Sequence, residues 1–467
     1  MDYRQSIDAL LSLVDHERNS LGPRQKAIVD LTRMERFMAR LGDPHRRAKT
    51  IHVAGTKGKG STAAMCDAVL KAAGYHTGFN SSPHLHHFRE RIRLDCQPIT
   101  EEGFAQLVDQ LWPQRIDDVP DGSRSGYPGA AVTLFEFMTG MAYHCFAQEK
   151  VDFQTIEVGL GGRLDATNVV TPNVAVITSI SLDHTAILGD TLAEIAAEKA
   201  GIIKPDGVVV VAPQAPEALS TILGACRERH AQAIQVGKEV TWISRETGRD
   251  PWDGQSVTVK GRLEEYQLDI PLLGDHQLEN AATAVAALEA LVEQGHTIPA
   301  EAIERGFAQV SWPGRMEVLS RDPIVMADGA HNLYSVNALM ESLARHSPPG
   351  RLILVAGFSR DKSVASMAHR LAQPNTRDGA IPMVFATRSR HPRSLSPGAV
   401  ADHFGNEGVK AVESASVADA VAQALASADA NDLVLVTGSL FVAAEAREAV
   451  LGIEPEVYPD LLPQDLR

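Results

Sequence analysis

Ile51-His52-Val53-Ala54-Gly55-Thr56-Lys57-Gly58-Lys59-Gly60-Ser61-Thr62 runs from a short apolar segment into a glycine-rich turn, and Ala63 to Leu70 leaves that turn as a good helix former. Strand, loop, helix is the layout of a phosphate-binding loop. Glycines let backbone N–H groups converge on an anion, and the helix N-terminus adds the positive end of a dipole. On this reading Gly55, Thr56, Gly58 and Gly60 form the cradle, Lys59 reaches the terminal phosphates, and Ser61 or Thr62 offers a hydroxyl. The common pattern Gly-x-x-x-x-Gly-Lys-Ser/Thr asks for glycine at Val53 and a hydroxyl at Gly60, so the match is partial. The alternative is a glycine-rich turn with no ligand. Against it stand Lys57 and Lys59, two lysines in a turn of small residues where they serve no packing purpose.

Outward from the loop, apolar runs alternate with helical patterns. Upstream, residues 4–42 read as helical: Leu10, Leu11, Leu13 and Val14 cluster, and Ile28, Leu31, Met34, Phe37, Met38 and Leu41 recur at helical spacing up to the stop Gly42-Asp43-Pro44. Downstream, a short strand near Phe79 delivers Asn80-Ser81-Ser82-Pro83-His84-Leu85, and a basic stretch, Arg89 to Arg93, follows. Helices are expected over 100–111, capped by Thr100, and over 134–148, with a loop across 113–130. The strand Val151–Val158 empties into Gly159-Leu160-Gly161-Gly162, and Val174–Ile180 ends at Leu182-Asp183-His184. A helix around 194–200 precedes the aliphatic strand Val208–Val211. This alternation implies a parallel sheet covered on both faces, with ligands at the carboxyl ends of its strands. Residues 238–272 change to short antiparallel segments, and an alanine-rich helix covers 280–293. A boundary falls near Trp312-Pro313-Gly314-Arg315. Beyond it strands at 324–327, 352–356, 383–386 and 433–436 form a second, smaller α/β domain, giving domains 1–311 and 312–467.

The net charge of −15 over 467 residues argues against nonspecific nucleic-acid binding and against a membrane surface, so anionic ligands need local basic pockets. Cys66, Cys96, Cys145 and Cys226 are far apart, which favours reduced, buried thiols over disulfides or zinc. The N-terminus lacks a signal-peptide profile and no apolar run approaches bilayer length, so a cytoplasmic enzyme is expected.

Ten motifs then occur in one order: Gly-Thr-Lys-Gly-Lys-Gly-Ser from 55, Ser-Ser-Pro-His-Leu from 81, Glu-Arg-Ile from 90, and Ile-Glu-Val-Gly-Leu-Gly-Gly-Arg-Leu-Asp-Ala-Thr-Asn from 156. After these come Leu-Asp-His from 182, Glu-Lys-Ala-Gly-Ile-Ile-Lys from 198, His-Gln-Leu-Glu-Asn from 276, Pro-Gly-Arg from 313, Asp-Gly-Ala-His-Asn from 328 and Val-Thr-Gly-Ser-Leu from 436. With them the chain resembles the folylpolyglutamate synthases, including bacterial forms that are also dihydrofolate synthases, within the Mur ligase group. Gly60 is what this family has after the lysine, where cell-wall ligases more often have Thr. The resemblance implies an α/β fold: a P-loop-containing, Mur-ligase-like ATPase domain with a parallel sheet, and a smaller Rossmann-like C-terminal domain for glutamate ligation. It also implies a reaction. ATP phosphorylates a folate carboxylate, the amine of L-glutamate attacks the acyl phosphate, and phosphate leaves. Catalysis is then mostly positioning and charge neutralisation.

By resemblance, Lys59 holds the β/γ phosphates, and Ser82, Glu157 and His184 are magnesium positions. Mg²⁺ favours oxygen ligands and phosphate oxygens. A carboxylate such as Glu157 at an apolar strand end is costly unless a cation meets it; a structural ion pair is the alternative. His184 otherwise reads as a hydrogen-bonded turn residue, and Ser82 as a cap. Lys199 resembles the lysine this family carbamylates; the alternative is a surface lysine on a helix. Asn280 and Arg315 match positions that reach ATP from the hinge, and Asp328 and His331 match the far wall of the nucleotide site, with Asp328 among the catalytic candidates. The cluster Thr387 to Arg393 reads either as a glutamate-carboxylate site or as a solvated loop. His84, His86 and His87 are not read as a metal site, since the family uses this stretch for the pterin side. Expected partners are folate or pteroate, L-glutamate and ATP, bound by a monomer. Two other readings compete: a ligase for a cell-wall precursor, and a nucleotide-binding regulator without catalysis. The segment from Ser81 to Ile92 and the Phe135-Glu136-Phe137 helix resemble those of bacterial members that do both, and this resemblance implies action on dihydropteroate as well as on folates, with folates alone as the competing expectation.

Overall fold

The computed structural model describes residues 1–14, 31–116, 131–246, 248, 250–346, 350–360, 362–374, 381–458 and 462–463. The expected helical residue Ile28, most of the 113–130 loop and residues 375–380 lie outside them. Among the described residues the chain builds three sheets.

The first sheet holds β1 (Lys49–Ala54), β2 (Thr77–Asn80), β3 (Ile92–Leu94), β4 (Gln97–Pro98), β5 (Phe153–Glu157), β6 (Val174–Ile177), β7 (Val208–Val211) and β8 (Gln232–Gln235). Their spatial order is β4-β3-β2-β5-β1-β6-β7-β8. β1 pairs in parallel with β5 on one side and β6 on the other, so the strand order reverses where the glycine-rich loop begins. Such a reversal opens a crevice beyond the carboxyl ends of the strands. The expected parallel sheet carries an antiparallel edge, where β2–β3 and β3–β4 are antiparallel. Asp95 and Cys96, with φ of 48° and 65°, make the two-residue reversal between β3 and β4. Both residues sit in the left-handed region that such tight hairpin turns require, yet Asp-Cys lacks the glycine that usually announces one.

The second sheet is antiparallel: β9 (Thr241–Arg245), β10 (Gln255–Lys260) and β11 (Glu265–Ile270), in the order β11-β10-β9. Between the first two sheets runs the alanine-rich helix Asp275–Glu293, which starts five residues before the expected 280. Its Ala281, Ala282, Ala284, Ala286 and Ala287 are fully buried beside Val69 of the loop helix and Val257 and Val259 of β10. Small side chains let the helix axis lie close to both neighbours, which is why the stretch reads as alanine rather than leucine.

The third sheet contains β12 (Glu317–Arg321), β13 (Ile324–Ala327), β14 (Leu352–Ala356), β15 (Met383–Ala386), β16 (Ala411–Glu413) and β17 (Leu433–Thr437), in the order β12-β13-β17-β14-β15-β16. β13 to β16 and β17 pair in parallel, while β12 is an antiparallel edge strand that the sequence pattern did not signal. β14 and β17 are buried throughout, as continuous aliphatic runs covered on both faces should be. At the N-terminus, the helix Tyr3–Leu11 packs on the helix Glu101–Leu111 and Thr32–Arg40 packs on Leu134–Gln148, burying Leu10, Met34, Phe37 and Met38 in one cluster. Val14 departs from the expected apolar cluster and is exposed.

Candidate active site

β1 ends at Ala54, and the helix Lys59–Ala72 begins five residues later. The loop between them is fixed by the segment after β6. The amides of Thr56 and Lys57 donate to Ser179 O at 2.9 and 3.1 Å, and Thr56 Oγ1 exchanges hydrogen bonds with the Ser181 backbone. Each glycine has a different steric reason. A Cβ at Gly55 would lie 1.8 Å from Thr178 Oγ1, one at Gly58 2.2 Å from Asn280 Oδ1, and one at Gly60 2.6 Å from the Trp312 ring. Gly58 also needs its φ of 86° to turn the chain into the helix. The first amides of that helix have no intrahelical acceptor, which leaves them available to an anion.

Lys59 Nζ lies 4.0 Å from Glu157 Oε1 at the end of β5, and the Ser82 amide reaches Glu157 Oε2 at 3.4 Å. Glu157 is only 6 % exposed. Burial raises its pKa, against the opposing pull of Lys59, the Ser82 amide and Arg315. Lys59, Glu157 and Ser82 are therefore brought together. His184 stands apart on the loop after β6, where its amide donates to Asp183 Oδ1 at 3.0 Å. Burial and three nearby lysines lower its pKa to about 4, despite Asp183, so the imidazole is neutral and able to ligate. Among the described residues, no three His, Cys, Asp or Glu side chains form a ready metal cluster.

Lys199, at the end of the helix Leu192–Ala200, is 3 % exposed and is not the surface lysine of the alternative reading. Its Nζ donates to Gly55 O at 2.8 Å, beneath the loop. Burial first, then Lys59, lowers its pKa to about 7. Gly162 permits this approach, because a Cβ there would lie 3.1 Å from Lys199 Cα.

The centre of the site is a residue the motif reading passed over. Asp183 accepts from Lys57 Nζ at 3.0 Å, Lys362 Nζ at 3.2 Å and Asn332 Nδ2 at 2.9 Å. Although burial works to raise it, Lys57 and Lys362 hold its carboxyl far below the usual carboxylate range. Lys57 also meets His331 Nε2 at 3.1 Å, while His331 Nδ1 lies 2.8 Å from Gly329 O. Lys57, then burial, keeps His331 well below its ordinary pKa. Donation from Nδ1 and acceptance at Nε2 fit that neutral ring. The signal available for Asp183 was its place in Leu-Asp-His from 182, the motif that singled out His184. Lys362 had none.

The expected nucleotide-wall residues are more occupied than foreseen. Asp328 Oδ2 accepts from the Met316 amide at 2.9 Å and Oδ1 from the Ala330 amide at 2.8 Å, so its carboxylate pins the connection before β12. Arg315 donates to Gly314 O, and Asn280 to Gln277 Oε1. In the basic cluster, Arg390 pairs with Glu448 and its amide donates to Glu445 Oε1. The three histidines diverge: His84 accepts from Arg91, His86 meets Glu448 and Arg447, and His87 meets Glu456. Glu136 pairs with Arg33 and closes its own capping box with Thr133.

With loop, acid and lysines in place, comparison with known proteins is specific. The Mur ligase middle domain matches residues 135–288, and the Mur ligase glutamate ligase domain matches residues 314–440. The chain is 36 % identical over 454 residues to a probable bifunctional folylpolyglutamate synthase/dihydropteroate synthase of Halobacterium salinarum, covering 96 % of this chain and 51 % of that one. It therefore spans about half the length of that relative. It is 34 % identical over 473 residues to the dihydrofolate synthase/folylpolyglutamate synthase of Mycobacterium tuberculosis, covering 96 % of this chain and 95 % of that one. The solved structure of Mycobacterium tuberculosis folylpolyglutamate synthase complexed with ADP superposes with a TM-score of 0.84 at 32 % identity, over 97 % of this chain and all of that one. Phosphate loop, sheet order and near full-length similarity agree: the chain belongs to the folylpolyglutamate synthase/dihydrofolate synthase family of Mur ligases.

Proposed function

We propose that this chain is an ATP-dependent ligase that joins L-glutamate to folates, and to dihydropteroate, through an acyl phosphate. The observation that carries the reading is the convergence of Lys57, Lys59, Lys199 and Lys362 around one glycine loop in a chain of net charge −15. A carboxylate is a poor electrophile until phosphorylated, and both phosphorylation and amine attack gather negative charge. Lys57, Lys59 and Lys362 supply positive charge beside the loop where that negative charge gathers. Lys59 and the loop amides hold the β/γ phosphates. Lys57, released from Asp183, and Lys362 face the transferred group. Asn280, Arg315, Asp328 and His331 frame the nucleotide.

Mg²⁺ fits the residues present. Glu157 is a buried carboxylate whose charge is incompletely met by a lysine at 4.0 Å and an amide at 3.4 Å. Ser82 and neutral His184 complete the donor set. When bound, Mg²⁺ supplies charge neutralisation at the phosphate oxygens. Lys199 suits carbamylation, because a lysine with a pKa of about 7 carries the neutral amine that adds CO₂. Domains 1–311 and 312–467 close on the substrates across the connection at Trp312–Arg315. The chain acts as a cytoplasmic monomer.

The test is purified protein with ATP, Mg²⁺, L-glutamate and one acceptor at a time, followed by phosphate release and product mass. Dihydropteroate converted to dihydrofolate, and tetrahydrofolate extended, are the expected products. Extension of tetrahydrofolate alone leaves folylpolyglutamate synthase as the single activity. No phosphate release with either acceptor refutes the ligase reading.

A further inference from the structure

Gly60 is one of the two positions at which the loop departs from the general phosphate-loop pattern. It sits in the first turn of the helix Lys59–Ala72, directly after the phosphate lysine. A Cβ there would lie 2.6 Å from Cζ2, 2.9 Å from Cε2 and 3.0 Å from Nε1 of Trp312. Trp312 belongs to the connection between the helix Ala300–Gln309 and β12. Its ring also packs on Phe79, centroids 5.5 Å apart, and beneath the Arg93 guanidinium at 5.2 Å. Its Nε1 is buried without a hydrogen-bond partner, so packing rather than a polar contact sets its place. Immediately beyond it, the connection is pinned to the third sheet. The Gly314 amide donates to Glu317, the Gly329 amide to Gly314 O, and the Met316 amide to Asp328. One rigid indole thus touches the phosphate-loop helix and leads straight into the backbone that carries Asp328 and His331.

We propose that Trp312 is a positioning residue for phosphate transfer. Its indole against Gly60 sets where the first turn of the loop helix stands relative to the C-terminal half, so loop occupancy and the relation of the two halves are coupled through this contact. An indole has two side-chain torsions, and close packing lets it transmit a displacement rather than absorb it. The inference rests on the nucleotide reading above.

The test is a double-mutant cycle of Gly60→Ala and Trp312→Ala, with Trp312→Phe as the conservative variant. ADP affinity is read by calorimetry, and kcat and KM for ATP by phosphate release. Gly60→Ala alone is expected to weaken ADP binding and lower kcat by about 10-fold, and the same methyl in the Trp312→Ala background to cost less than about 3-fold. Trp312→Phe keeps the ring contact and is expected to retain most of kcat. In protein with Trp112, Trp242 and Trp252 replaced by Phe, the Trp312 emission should move as ADP saturates. Equal cost of the Gly60 methyl in both backgrounds, or emission that stays fixed while calorimetry shows saturation, overturns the proposal. Wild-type protein that binds no ADP overturns the nucleotide reading and this inference with it.

Discussion

Glu157→Gln separates a catalytic acid from a structural ion pair, because the two roles predict opposite signs for stability. The substitution keeps shape and removes the charge. A buried pair that stabilises the fold loses about 3–5 kcal/mol when one partner is neutralised. Lys59 is 4.0 Å away, worth about 4 kcal/mol at an effective dielectric of 20. Yet burial outweighs Lys59 and raises the carboxyl's pKa in the folded chain. The folded pKa therefore lies above the unfolded value of about 4.3, so the ionised form destabilises the fold at neutral pH. Gln should leave the urea midpoint unchanged or raise it. The gain should be largest well above the folded pKa and should vanish as pH falls below about 4, where Glu157 is protonated in both states. Turnover should move the other way. On the proposed magnesium role, losing the charge that would hold Mg²⁺ should lower kcat by about 100-fold, or about 2.7 kcal/mol of transition-state stabilisation. Phosphate release at saturating ATP and Mg²⁺, paired with urea unfolding at several pH values, reads both. A variant with near-normal turnover, or one whose midpoint drops at neutral pH while converging at low pH, refutes the reasoning.

Lys199→Ala should be nearly inactive and partly rescued by small carboxylic acids, and wild-type protein in ¹³C-bicarbonate should show a carbamate signal that grows as pH rises through about 7, where the amine becomes neutral; an inert, fully active Ala variant refutes this. Asp183→Asn should loosen the ligand-free protein, since Lys57 and Lys362 lose the shared negative charge and one of the two acceptor oxygens; scattering profiles identical to wild type, with and without ATP plus folate, would mean that the halves are locked. Glu289→Ala should cost about 3 kcal/mol in stability with normal activity per folded molecule, because the fully buried Glu289 accepts from the amides of Arg262, Leu263 and Glu264 and from Tyr266 Oη; an unchanged urea midpoint would remove that role.

The sequence alone determined the elements whose cause is local. Val208–Val211 reads as a buried strand because four β-branched residues in a row leave no polar face, and it is one. The helix Leu134–Gln148 and the Thr100 cap fall where the pattern places them. Gly55 to Ser61 announces its loop because few other residues permit that backbone beside a helix start. Tertiary structure alone decided which charges meet. Lys199 and Gly55 are 144 residues apart, Lys57 and Asp183 126, and Asp183 and Lys362 179. Periodicity gives the face of a helix that is buried but not the strand end that covers it, so an exposed Lys199 stayed open as the alternative. The antiparallel edges β3, β4 and β12 escaped for a related reason: short edge strands bury too little to imprint an alternation. Gly60 shows the division most sharply. Its presence was visible in the sequence, but its reason, the indole of Trp312, exists only once the chain has folded back on itself.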